Sequence, residues 1–118
     1  MQKHWQIAFY LNYRKALVEI KREFGINRID FEVLAIMDQK EMMSIYCKPS
    51  DVLHLMPTTK RKLVYDSFRR LHATGYLTLV ENSNGRKPSR YAINGIGNII
   101  LLRFSQFIER NQPKQLHL

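Results

Sequence analysis

The 118-residue sequence holds a single cysteine, Cys47, so no disulfide can close within the chain. A single cysteine suits a reducing compartment, and the expected location is the cytoplasm. Long apolar runs are missing as well. The longest is Ile99-Ile100-Leu101-Leu102, far short of the ~20 residues that a membrane-spanning helix needs. The opening Met1-Gln2-Lys3-His4-Trp5 lacks the unbroken apolar stretch of a signal peptide, so no membrane association is expected. There is no Gly-rich phosphate loop. His4, His54, His72 and His117 are scattered, none at ligand spacing with Cys47 or with a carboxylate cluster, so no metal and no cofactor is expected. Asp51 and Asp66 read as helix-start and salt-bridge residues rather than an acid/base pair. Cys47 has no local catalytic signature and reads as a loop or core residue, with redox sensing left open. An enzyme has little to stand on here, and none is expected.

Acidic residues are scarce too: ten Asp/Glu face nineteen Lys/Arg, a formal charge of +9. The excess is not evenly spread. Residues 1–57 hold eight Lys/Arg against seven Asp/Glu, whereas residues 58–118 hold eleven against three. Positive charge concentrated in one half suggests a polyanionic partner, with an acidic membrane surface or plain solubility as the alternatives.

What is present fits one domain over residues 1–118. Residues 3 to 24 contain no Gly or Pro, and Tyr10, Tyr13, Leu17, Ile20 and Phe24 recur at helical spacing. Trp5, Ile7, Phe9 and Leu11 lie off that stripe and make the first half apolar nearly all round. Gly25 is placed to end the helix. Asp30 is a candidate cap for a second helix carrying Phe31, Val33, Leu34 and Met37 and stopping near Gln39-Lys40. A short third helix opens at Pro49-Ser50, with Val52, Leu53 and Leu55 as its apolar contacts, and Met56-Pro57 closes it. Thr58-Thr59 opens a fourth, which runs to about Thr74 and stops at Gly75. In that helix Val64, Phe68 and Leu71 form one face, and Lys62, Tyr65, Asp66 and Arg69 the opposite one.

The period then changes from about 3.6 to 2. Leu77-Thr78-Leu79-Val80 reads as a strand, Asn82-Ser83-Asn84-Gly85 as a turn, and Arg90-Tyr91-Ala92-Ile93 as the return strand. Asn94 is placed to cap a last helix from Gly95 to about Arg110, and a frayed tail is expected from Asn111 onward. The expected fold is therefore mainly α with a small β-hairpin wing (α+β), a winged helix-turn-helix. Its core is expected at residues 30–93, between long terminal helices at 1–25 and 95–110.

A basic helix followed by a hairpin with a basic tip is an arrangement that can read duplex DNA. An α-helix fits the major groove, and residues at its start usually reach the base edges. Those residues are Thr58, Thr59, Lys60, Arg61 and Lys62, with Tyr65 and Arg69 one and two turns on. Arg61, Lys62 and Tyr65 are the candidates for bases; Thr59, Lys60 and Arg69 are those for phosphates. Around the hairpin tip, Arg86, Lys87 and Arg90 are placed to enter a minor groove, where negative potential is concentrated. Either cluster taken alone reads more readily as a solvated surface than as a binding site; their joint occurrence on adjacent elements favours double-stranded DNA as partner.

At residue level, the run Pro49 to Gly97 resembles the winged-helix core of the multiple-antibiotic-resistance regulator (MarR) family. Phe68-Arg69-Arg70-Leu71-His72-Ala73-Thr74-Gly75-Tyr76-Leu77 is similar to that family's recognition-helix ending and entry to the wing. Ile93-Asn94-Gly95-Ile96-Gly97 is similar to its Leu-Thr-x-x-Gly exit. The sequence departs from the family pattern where Gly85 stands at the usual wing Asp, with Arg86 and Lys87 keeping the cations. After the wing there is room for one full helix where the family usually has two. The resemblance implies a transcriptional regulator, usually a homodimer paired through its terminal helices.

Independently of that likeness, the terminal helices carry more apolar surface than one small domain readily covers. This points to a homodimer with Trp5, Phe9, Tyr13, Ile100, Phe104 and Phe107 as contact candidates; the alternative is packing of the two helices within one subunit. Three functions stay open: a homodimeric regulator of the repressor kind, a DNA-binding accessory protein of a mobile element, and a winged-helix module for an acidic protein partner. Footprints in a promoter or an origin separate the first two, and absence of duplex binding at low salt selects the third. A small-molecule effector is not legible.

Overall fold

The computed structural model describes residues 2–41, 46–81 and 89–111, with side chains omitted at 2–6 and 41. Five helices and a two-stranded hairpin follow in the order α1 (Gln2–Phe24), α2 (Arg28–Glu41), α3 (Pro49–His54), α4 (Arg61–Ala73), β1 (Leu77–Glu81), β2 (Arg90–Ile93) and α5 (Gly95–Arg110). The core lies among α2, α3, α4 and the hairpin. Leu34, Met37, Val52, Val64, Phe68 and Leu71 are fully buried there, and Phe68 packs on Tyr91 with ring centroids 5.2 Å apart. The strands are antiparallel with Leu77 opposite Ile93 and Leu79 opposite Tyr91, and the register slips at Val80, between Leu79 and Glu81. Cys47 adds one further rung. It exchanges both backbone hydrogen bonds with Tyr91 (3.1 and 2.8 Å) and is fully buried, which ties the segment before α3 to the sheet.

Helix ends follow local chemistry. Gly25 (φ 73°) and Gly75 (φ 88°) end α1 and α4 in left-handed conformation, which other residues adopt only with strain. At Gly75 the two hydrogen bonds of a Schellman ending are present, Gly75 N–H to His72 and Tyr76 N–H to Leu71. Asn94 caps α5 by accepting from the N–H groups of Ile96 and Gly97, each at 3.0 Å, and donates back to the Gly75 carbonyl. Its replacement by alanine removes all three bonds. Asn94→Ala is expected to cost about 1.5 kcal/mol, read as a lower urea midpoint with unchanged slope. Asn94→Asp, which keeps the acceptor, is expected to lose less.

Several expectations need correction. Asp30 does not cap α2. Asn27 does so, accepting from Asp30 N–H at 2.8 Å while the Asp30 carboxylate accepts from Asn27 N–H at 3.1 Å, a reciprocal capping box. Thr58 and Thr59 lie outside α4, in a turn held by Thr59 N–H on the Met56 carbonyl (3.0 Å), and α4 starts at Arg61. Buried Met56 anchors that turn, while Pro57 has no N–H with which to prolong α3. Leu55 is 51% exposed rather than a core contact, since the chain has already left the helix there.

The terminal helices pack on one another within the chain. Tyr13 meets Phe104 edge-on at 5.6 Å, Phe104 stacks on Phe31 at 4.2 Å, and Arg103 pairs with Glu23 at 3.3 Å. Ile100 is fully buried in the core, so it belongs to the protomer's own interior and offers no surface to a second subunit. The 23 residues of α1 span about 34 Å and the 16 of α5 about 24 Å. Asn12 donates to the carbonyl of Asn111, the residue that ends α5, so α1 continues past its neighbour. There Ile7 (57%), Tyr10 (57%) and Leu11 (49%) stand exposed; the expected stripe is covered only from Tyr13 onward. The radius of gyration, 15.8 Å against about 13.5 Å for a compact chain of this length, reflects that elongation. Among the described residues no helix is long and apolar enough to cross a membrane.

Candidate nucleic-acid interface

The outer side of α4 is where charge collects. Val64, Ser67, Phe68 and Leu71 are buried, which turns Arg61, Lys62 and Arg69 to solvent and leaves Tyr65 half-buried at the margin. Lys60 is the N-cap, in extended conformation, and its side chain makes no capping bond. Helices α2, α3 and α5 begin differently: Asn27 and Asp30 cap α2, Asp51 accepts from Lys48 N–H at α3, and Asn94 caps α5. In α4 the first turn has no acidic residue, and three successive cations stand at the positive end of the helix dipole. That arrangement opposes helix stability by a few tenths of a kcal/mol per charge. A local rule broken in this way marks a site whose residues serve something other than folding.

The cations divide by partner. Among the described residues Lys60, Arg61 and Lys62 form no ion pair. Arg61 instead lies over the Tyr65 ring, its guanidinium carbon 4.8 Å from the centroid, so the two candidate base contacts form one stacked unit. Arg69 is bound to Asp66 one turn back, and Arg90, at the root of the hairpin, to Glu81 at 3.3 Å. Both of these pairs are solvated, so they are cheap to exchange for another anion. Arg86 and Lys87 lie outside the described residues.

Tyr65 and Arg69 do share a face with the hairpin. They line a cleft of about 340 Å³ with Pro49 and Ser50 at the start of α3, and with Ser89 and Tyr91 beside the hairpin. A second depression, about 470 Å³, lies at the opposite flank of the α4 start, where Thr58, Thr59, Lys60 and Lys62 meet Arg28 at the start of α2. Arg28 was not singled out from the sequence. The only available signal was its charge, and charge alone does not show which helix ends meet.

A buried network fixes α4 against α2. The Asp30 carboxylate, 1% exposed, accepts from Ser67 Oγ at 2.6 Å and from both Nε and Nη2 of Arg70. The hydrogen bond to Asp30 raises the Arg70 pKa above its ordinary value, against the opposing effect of partial desolvation. Arg70 thus stays charged at any working pH, and that charge is already answered by Asp30. Of the dimerisation candidates, Phe9 is 41% exposed on the projecting part of α1, Tyr13, Phe104 and Phe107 are half-buried, and the Trp5 side chain lies outside the described residues. No group of three His, Cys, Asp or Glu among the described residues is placed to hold a metal ion.

No protein-family model matches the chain, and no curated protein sequence matches it. Solved structures do. A variant of MepR from Staphylococcus aureus, bound to an oligodeoxyribonucleotide, matches with a TM-score of 0.72 at 10% identity, over 92% of this chain and 76% of the other. The transcriptional regulator Tm0710 from Thermotoga maritima matches at 0.64 and 23% identity, over 93% and 75%. Apo MarR from Escherichia coli matches at 0.62 and 15% identity, over 99% and 79%. At such identities the likeness is one of fold, and it runs nearly the full length: this chain has the MarR-like winged-helix fold.

Proposed function

We propose that the chain is a sequence-specific double-stranded DNA-binding protein, and that it acts as a homodimeric transcriptional regulator of the repressor kind. The observation that carries this reading is the start of α4, where Lys60, Arg61 and Lys62 stand without an ion pair among the described residues and without an acidic first turn. The fold shared with a MepR variant bound to an oligodeoxyribonucleotide supports it. In this reading α4 enters the major groove, Arg61, Lys62 and Tyr65 face base edges, and Thr59, Lys60 and Arg69 take phosphates. Arg86, Lys87 and Arg90 serve the minor groove, with Arg90 exchanging Glu81 for DNA.

The second subunit of the proposed dimer covers the projecting half of α1, whose Ile7, Phe9, Tyr10 and Leu11 are exposed in the single chain. Two copies then present α4 to half-sites ~34 Å apart on a pseudo-palindrome. The role is one of binding, without catalysis, in the cytoplasm.

Fluorescence anisotropy of labelled duplex DNA across a salt series tests this. Wild type is expected to bind, with log K falling against log[salt] by about 0.9 per phosphate neutralised. Arg61→Ala/Lys62→Ala is expected to bind roughly 60-fold more weakly at 0.1 M salt if each cation neutralises one phosphate equivalent, with a shallower slope. Arg86→Ala/Lys87→Ala should weaken binding in the same sense. No binding by wild type at low salt rejects the proposal.

A further inference from the structure

The groove between α2 and the start of α4 brings Arg28, a residue outside the footprint proposed above, beside residues that belong to it. We propose that Arg28 of α2 joins Thr58, Thr59 and Lys60 to hold a phosphodiester of duplex DNA, while Lys62, which also lines the groove, keeps its base-edge role; this rests on the DNA-binding reading above. Three cations from two elements converge on about 470 Å³ of open space, and the groove lining contains no carboxylate. Among the described residues none of the three forms an ion pair. Glu32, one turn along α2, lines a neighbouring depression with Arg28 and Tyr13 but makes no ion pair with Arg28.

Like charges gathered on one groove repel one another, and an anion seated among them relieves that repulsion. The two threonine hydroxyls add donors that phosphate oxygens can accept. The HTH turn also puts Thr58 and Thr59 beside Lys60, at the end of α4 proposed to face DNA. A phosphate held here lies on the duplex backbone flanking the helix, opposite the wing. Arg28 therefore acts on affinity and register, not on sequence choice.

The test compares Arg28→Gln and Arg28→Lys with wild type, using a mixed-sequence DNA duplex over a salt series. Arg28→Gln is expected to bind roughly eightfold more weakly at 0.1 M salt and to show a slope shallower by about 0.9. Arg28→Lys should restore most of both, and thermal unfolding of the exposed-site variants should match wild type. Unchanged affinity and slope in Arg28→Gln overturn the inference while leaving the DNA reading intact; failure of wild type to bind overturns both. In a second arm, inorganic phosphate is titrated and followed by ³¹P NMR. Saturable binding that Arg28→Gln abolishes, with DNA binding unchanged, assigns the groove to a free phosphate ligand and overturns the DNA contact.

Discussion

Replacing Asp30 with alanine is expected to lower the free energy of unfolding by about 3 kcal/mol, a fall in thermal midpoint of roughly 10–15 °C. Asp30 is 1% exposed and accepts hydrogen bonds from Asn27 N–H, Ser67 Oγ and the Arg70 guanidinium. The alanine leaves the fully buried Ser67 hydroxyl without its acceptor and opens the α2 capping box. Arg70 suffers less, because its side chain is 44% exposed and water can replace Asp30 there. The loss should therefore fall at the lower end of what removing one partner of a buried pair costs. Asp30→Asn keeps an acceptor for Ser67 and is expected to cost about half as much. Chemical denaturation followed by circular dichroism measures both. A loss below about 1 kcal/mol for the alanine would show that packing alone holds α4 to α2.

The second large effect concerns Gly97, and its sign is the test. Alanine in place of glycine in a helix normally gains up to about 1 kcal/mol. At Gly97 a Cβ would stand 2.5 Å from the Tyr76 carbonyl oxygen and 2.7 Å from Ile93 Cγ2. The Tyr76 oxygen cannot simply retreat: it belongs to backbone that enters β1, and its phenol donates to the Phe24 carbonyl at 2.9 Å. The start of α5 must move off the hairpin instead, at an expected cost of about 3 kcal/mol. Gly95, two residues earlier, has nothing within 4 Å of such a Cβ, so Gly95→Ala is expected to be neutral or slightly stabilising. Paired unfolding curves decide the matter. Equal behaviour of the two variants would sink the close-contact argument.

These two sites differ in how far the sequence announced them. Gly97 closes the Ile93-Asn94-Gly95-Ile96-Gly97 exit from the wing, though only the Tyr76 contact supplies its reason. Asp30 reads from sequence as a cap and serves instead as the third residue of α2 and the hub of a buried network. A carboxylate near a helix start looks the same in sequence whether it is the cap or the third helical residue, and Asn27 decides the question through its bond to Asp30 N–H. The two threonines at 58 and 59 misled similarly. They look like a helix start, yet the turn built on Met56 and Pro57 delays α4 to Arg61.

The element order, the inward face of α4, the hairpin strands, the ends at Gly25 and Gly75 and the cap at Asn94 are all legible along the chain. Each of these depends on periodicity or on a residue's own backbone preference, both of which act over a few positions. Packing in three dimensions is what makes Ile100 interior, holds Arg69 and Arg90 to Asp66 and Glu81, and joins Arg28 to Lys60 and Lys62. The same packing leaves α1 outrunning α5. Burial and ion pairing depend on which surfaces meet across tens of residues. A local pattern shows that a helix has an apolar face without showing what will cover it, and it counts cations without showing which of them have already been neutralised.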